Sequence, residues 1–424
     1  MGSYIRRILD DELEELLGSL AAVSIEGAKG VGKTATAMQR AQTIRRLDDE
    51  EERELTAADP QRVVTGARPI LIDEWQRWPA SWDIVRRAVD DDPRPGRFLL
   101  TGSATPLEPS THSGAGRIVR LRMRPLALSE RGLTPPSVSL GTLLRGSRAP
   151  LEGATPVGLR DYANEIVSSG FPGLRHLSGR ALRAQLDSYV ARIVDTDFEE
   201  LGRTVRNPPM LLRWMTAYAA ATATTATFEK IRDAATYGES DKPSRPTTLP
   251  YRDVLERLWI LDPLPAWLPT RNVFSRLAQP PKHHLVDPAI ASTLLGTDVD
   301  ALLEGGRGAV ALPRDGTLLG HLFESLVTLC VRVYAQAAEA DVKHLRTKGG
   351  RQEIDLIVER RDHRVVGIEV KLTRTVTDDD VRDLLWLRRK LGEDLLDAVV
   401  INTGPHAYRR RDGIAVVPAA LLGP

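Results

Sequence analysis

Gly27, Ala28, Lys29, Gly30, Val31, Gly32, Lys33 and Thr34 read G-x-x-x-x-G-K-T, a spacing suited to holding phosphates. The glycines let the backbone curl until its N–H groups face an anion, and the dipole of a following helix adds positive potential. Lys33 would then reach the β and γ oxygens of a nucleoside triphosphate, and the Thr34 hydroxyl would ligate Mg2+. A metal there needs an acid to hold its water shell. The run Arg68-Pro-Ile-Leu-Ile-Asp73-Glu74-Trp75, 40 residues after Lys33, is an apolar strand ending in two carboxylates. Asp73 would orient Mg2+, and Glu74 would polarise the attacking water. Farther along, Asp355, Glu369 and Lys371 form a D…E-x-K pattern. If the intervening turn centres on Asp362, Asp355 faces Glu369 across two strands with Cβ atoms ~5 Å apart, and Lys371 shares their face. Such a set could bind Mg2+ or Mn2+ and hold a water against a phosphodiester. A solvated polar face with a cross-strand Lys–Glu pair gives the same pattern.

These groups need elements to position them. Leu9, Leu13, Leu16, Leu17 and Leu20 fall at helical spacing, which predicts an opening amphipathic helix. Apolar runs at 21–25, 69–72, 98–100 and 118–123, separated by polar helical segments, predict a parallel sheet wrapped by helices. The run Arg97-Phe-Leu-Leu-Thr101-Gly-Ser103 puts small hydroxyls at a strand end. There Ser103 serves either as a polar sensor beside the γ-phosphate, as in AAA-type enzymes, or as a plain strand cap. Arg117, just before the fifth strand, could meet a phosphate in the same chain or in a neighbouring copy. The pattern is helical from 155 to 265, and the Pro and Gly clusters at 133–156 and 240–250 read as connectors. Residues 227–260 could form a helix-turn-helix, with Lys242 and Arg245 in a basic loop, Thr248 capping the second helix and Pro250 in its first turn. His283-His284 reads as a loop and not as a metal site. The stretch 317–424 alternates strands and helices again and predicts a second α/β unit.

Composition narrows the function classes. With 58 basic and 57 acidic residues among 424, the net charge of +1 offers no global attraction to nucleic acid or anionic lipid, so any such site must be local. Only nine of the basic residues are lysine against 49 arginines, which makes Lys33 and Lys371 informative where a compact ammonium differs from a planar guanidinium. The single cysteine, Cys330, excludes an internal disulfide and reads as a core thiol. The most apolar helix carries His321, Glu324 and Arg332, so no membrane span is expected. Acids where a leader needs its apolar stretch make the cytoplasm the expected compartment.

The stretches GAKGVGKT, LIDEWQRWP, LLTGSATP, GAGRIVRLRMRPLALSERG, SGFPGLR, HLVDPAI and the EIDLIVE/IEVKL pair together resemble a prokaryotic family of AAA-type ATPases that carry a carboxy-terminal restriction-endonuclease-like domain. The resemblance spans essentially the whole chain. It implies an α/β fold: a P-loop AAA-type parallel sheet over 1–132, a helical region with a winged-helix-like part over 133–270, a connector over 271–316, and a restriction-endonuclease-like domain over 317–424. It also places an acid on the first helix of the last domain, here Glu324, although helical phase sets that residue away from the apolar face. The expected activity is Mg2+-dependent ATP hydrolysis that controls a nuclease-like domain acting on DNA or RNA, with homo-oligomers as possible assemblies. The alternative is a nucleotide-switched scaffold whose nuclease fold is inert and binds protein.

Overall fold

The computed structural model describes residues 4–105, 114–201, 203, 205, 207–236, 245–269, 279–304 and 315–424. Lys242 lies outside them. The helix α1 (Leu9–Ser19) buries Leu9, Leu13 and Leu17, the stripe its spacing predicts. It leads into a five-stranded sheet of β1 (Ala22–Glu26), β2 (Thr43–Arg46), β3 (Ile70–Asp73), β4 (Phe98–Gly102) and β5 (Val119–Arg122). The strand order is β2-β3-β4-β1-β5 and every pairing is parallel. Parallel strands are covered on both faces, which explains why β1, β3 and β4 are buried throughout. Ile70, Ile72, Phe98 and Leu100 pack on Trp82, Val85 and Val89 of the helix Ala80–Asp91. The alternate residues Leu71 and Leu99 join Val23, Ile25 and α1 in a core that continues without a break into the helical region and the last sheet. The edge strand β2, with the sequence TIRR, has one neighbour and no buried residue, so its apolar pattern is too weak to read.

The helical region contains Leu159–Val167, Gly179–Arg192, Pro208–Ala220 and Phe228–Ala235. Gly179–Arg192 runs on through one π-turn, Ile193–Asp197, into Phe198–Glu200. Thr227 caps Phe228–Ala235 by accepting from Lys230 N–H. The next helix spans Arg245–Arg257, so Thr248 lies inside it instead of capping it, and Pro250 falls beyond its first turn.

The last sheet is mixed and has eight strands among the described residues. In spatial order they are β7 (Gly153–Ala154), β13 (His406–Arg409), β14 (Ala415–Pro418), β12 (Leu395–Asn402), β11 (Val365–Val370), β10 (Glu353–Glu359), β9 (Asp341–Arg346) and β8 (Ala266–Trp267). A short parallel pair joins β6 (Val138–Ser139) to β15 (Leu422–Gly423). The stretch 133–156, expected to connect, therefore supplies strands to the carboxy-terminal unit. Both faces of this sheet are covered. Leu356, Val358, Val366 and Ile368 join the core that holds the long helix Asp315–Ala337, while Ile357 and Val365 pack with Leu384 and Leu387 of Arg382–Leu391. The stretch Leu318–Ala337 is long and apolar enough to cross a membrane, but most of it is buried here as a core helix. Cys330 is buried on that helix, with Leu128 N–H directed at its Sγ, and burial pushes its thiol up to about 11.

Candidate nucleotide site and carboxylate cluster

The phosphate loop follows β1 directly, and the helix Lys33–Met38 starts at its lysine with Gly32 as N-cap at φ 105°, a backbone region where a side chain would be strained. Gly27 is required for a different reason, since a Cβ there would stand 2.2 Å from the carbonyl oxygen of Met123. Lys33 is buried, and its Nζ donates to the carbonyls of Gly27 at 2.9 Å and Ala28 at 3.0 Å. Burial pulls its pKa down to about 8, against the opposing pull of Glu74 and Asp73.

The acid strand meets this loop. Thr34 Oγ1 donates to Asp73 Oδ1 at 2.7 Å, and Thr101 Oγ1 donates to the same oxygen at 2.5 Å. A hydroxyl and a carboxylate thus adjoin where the strand and the helix converge, and this pair suits an octahedral Mg2+ that keeps most of its waters. Burial raises the Asp73 pKa, partly offset by the two hydroxyls. Glu74 adopts φ 54°, ψ 48°, uncommon for a residue with a side chain. Its surroundings fix that conformation: its N–H donates to Thr101 Oγ1 at 3.1 Å, and its carboxylate accepts from Ser103 Oγ at 2.6 Å and from Gln76 Nε2. Gln76 Nε2 also donates to Ser103 Oγ at 3.0 Å. Ser103 therefore contacts the acid and is more than a strand cap.

Two expected site residues lie elsewhere. Lys29 turns out of the loop, and its Nζ is 2.6 Å from Asp197 Oδ1 and 2.7 Å from Glu200 Oε2, both in the helical region. Glu200 also takes Arg77 at 2.7 Å, and Tyr189 donates its hydroxyl to the Lys29 carbonyl at 3.1 Å. Arg117 pairs with Asp90 at 2.7 Å and is 46% exposed. It precedes β5, whose Val119 pairs with Val23 at the amino end of β1, whereas the phosphate loop leaves the carboxyl end. A role for Arg117 toward the nucleotide of its own chain is therefore corrected by strand direction. The arginine at the right end of β5 is Arg122, opposite Glu26, with its guanidinium 3.8 Å from the Trp259 ring centroid. Burial lowers its pKa to about 9, and its Nε and Nη1 lack hydrogen-bond partners among the described residues. Nothing in its sequence context distinguishes it from 48 other arginines.

In the last sheet, Leu356 pairs with Ile368 and Val358 with Val366, the register that a turn at Asp362 predicts. On its other edge β10 shifts register between Ile354 and Ile357, a bulge that re-aims Asp355. Asp355 Oδ2 accepts the Val370 N–H at 2.9 Å, and Glu369 Oε2 lies 3.2 Å from Lys371 Nζ. Burial together with the facing Asp355 pushes the Glu369 carboxyl well above its ordinary range. Glu324 is buried beside them, so it is not a plain surface glutamate.

The group missed from sequence is Lys282. Its ammonium is 2.7 Å from Glu324 Oε1, 3.1 Å from Asp355 Oδ1 and 3.5 Å from Glu353 Oε1, and the side chain is 1% exposed. The scarcity of lysine that points to Lys33 and Lys371 applies equally to this residue. Among the described residues no three His, Cys, Asp or Glu side chains converge as a metal shell. As arranged, Asp355 and Glu369 are paired instead with the ammoniums of Lys282 and Lys371. His283 and His284 are buried and bond locally, to Tyr218, Ala226 and Ser325.

Residues 20–131 match the AAA domain family, so the amino-terminal part is an AAA-type P-loop domain, as its sheet and loop indicate. Residues 159–301 and 319–422 match two domains of unknown function, DUF8612 and DUF4143. The uncharacterized proteins Rv2008c of Mycobacterium tuberculosis and Mb2031c of Mycobacterium bovis are each 24% identical over 426 residues, covering 98% of this chain and 83% of theirs. Among solved structures, the Aeropyrum pernix ORC2 protein is 14% identical, covering 70% of this chain and 96% of its own, with a TM-score of 0.29. The replication initiator DnaA bound to AMPPCP and single-stranded DNA is 15% identical, covering 59% and 86%, with a TM-score of 0.21. Likenesses this slight carry nothing about function.

Proposed function

We propose that this protein is an Mg2+-dependent ATPase of the AAA type whose nucleotide state controls a carboxy-terminal unit of restriction-endonuclease type directed at nucleic acid. The observation that carries the ATPase reading is the convergence of Lys33 and Thr34 with Asp73 and Glu74. Residues Gly27 to Thr34 would bind the phosphates through their N–H groups, and Lys33 would leave the carbonyls of Gly27 and Ala28 for the β and γ oxygens. Mg2+ held near Thr34 and Asp73 would neutralise charge on those oxygens. Glu74 would take the proton of the attacking water, with Ser103 and Gln76 setting the direction of its carboxylate.

Control is supported by Lys29. A loop residue held by Asp197 and Glu200 ties the phosphate site to the helical region, and that region shares its core with the last sheet. Bound phosphates would draw on the same ammonium. Nucleic acid as the target rests on the D…E-x-K set. The test is equilibrium binding of duplex and single-stranded DNA and RNA with ATP, with ADP and without nucleotide. Control predicts an affinity that moves at least several-fold between states, and an unchanged affinity contradicts it.

The second reading is a nucleotide-switched scaffold with an inert nuclease fold and protein partners. The observation favouring it is the buried ammonium of Lys282 among the acids.

A further inference from the structure

We propose that Lys282 is the resident cation of the carboxylate cluster and keeps divalent metal out of it. The inference rests on reading Glu324, Asp355 and Glu369 as a nuclease-type set, and it assigns the regulation of that set. A buried ammonium needs hydrogen bonds or opposite charge to offset its desolvation, and Lys282 has three carboxylates of the described residues within 3.5 Å. Its attachment is fixed. Lys282 N–H donates to the Leu264 carbonyl at 2.9 Å, and Leu264 N–H donates back at 2.8 Å, so the side chain leaves a backbone pinned on both sides. The neighbouring His283 is pinned in the same way to Thr224 and Ala223.

Charge and space both oppose a metal beside it. A divalent cation takes carboxylate oxygens at about 2.0 to 2.6 Å. Bound to Asp355 Oδ1, it would share that oxygen with an ammonium 3.1 Å away, and two positive centres so close repel strongly. The other oxygen of Asp355 is already taken by the Val370 N–H, and Glu369 is paired with Lys371. Among the described residues, two lysines thus divide the acids between them and leave no converged shell.

The test is Mn2+ binding to the full chain without nucleotide, followed by calorimetry and by thermal melting. Asp355→Asn marks any site in the cluster. The expected result is that wild type and Asp355→Asn bind Mn2+ alike. Lys282→Met should gain one Mn2+ per chain and a metal-dependent rise in melting temperature of several degrees, roughly as ligand linkage gives. Both gains should vanish in Lys282→Met with Asp355→Asn. If Lys282→Met alone does not fold, Lys282→Met with Glu353→Gln removes one charge of each sign without touching the set and should show the same gain. Mn2+ binding in the wild type that Asp355→Asn abolishes would overturn the exclusion and leave the nuclease-type reading standing. Absence of an Asp355-dependent site in every Lys282 variant would overturn both.

Discussion

Lys29, within the phosphate loop, places its Nζ 2.6 Å from Oδ1 of Asp197, a residue 168 positions away that belongs to the π-turn of the helical region. The pair is mostly shielded from solvent, and burial raises the Asp197 carboxyl while Lys29 opposes the rise. If ATP phosphates compete for that ammonium, loosening the acids must favour ATP by the same coupling free energy. Asp197→Asn with Glu200→Gln should therefore tighten ATP binding by about 5-fold or more by calorimetry. Hydrogen exchange over 193–200 should respond to ATP in the wild type and not in the variant. Equal affinity in both chains would sever this link.

Glu74→Gln deletes the proton acceptor and leaves Asp73 with its two hydroxyl partners intact. Turnover should fall by about 10²- to 10⁴-fold while ATP affinity stays within a few-fold. Ser103→Ala, which removes one of the bonds orienting that carboxylate, should cost less turnover and again little affinity. Phosphate release paired with calorimetry separates the two effects, and a Glu74→Gln chain that turns over normally removes the residue from the chemistry.

Strand direction sends Arg117 away from the nucleotide of its own chain, so a charge-stabilising role requires a neighbouring copy. Turnover per chain should then rise with protein concentration, and Arg117→Ala should lose about 10³- to 10⁵-fold. Concentration-independent turnover that survives the substitution would exclude Arg117.

His344 is buried with Nε2 3.1 Å from the Pro280 carbonyl, and its Nδ1 has no partner among the described residues. Burial and the nearby Lys282 lower its pKa from 6.5 to about 4. Between those values the unfolded chain binds the extra proton, so the contribution is whole above pH 6.5 and is lost as pH falls through 4. The loss amounts to about 3 kcal/mol at order of magnitude. Melting temperature should drop between pH 7 and pH 4.5, and it should drop less in His344→Gln. An identical drop in both chains would contradict this assignment.

Local patterns were the legible ones. The phosphate loop announces itself because a motif, a strand and a helix start fall within a dozen residues, and the β10–β11 register follows from one turn at Asp362. What could not be read depends on distant partners. Val138–Ser139 and Gly153–Ala154 look like connectors until they pair with strands near the end of the chain. Lys282 gains its meaning from Glu324 and Asp355, 42 and 73 positions on. Arg117 and Arg122 differ only in which end of a parallel strand they occupy, and that depends on the pairing of β5 with β1.

The central claim is that the loop from Gly27 to Thr34 binds ATP·Mg2+, and the most direct measurement is calorimetric titration of ATP with Mg2+ into wild type and Lys33→Ala. Binding by the wild type near one nucleotide per chain, lost in Lys33→Ala, is the predicted result. Equal affinity in the two chains, or no binding by either, would contradict it.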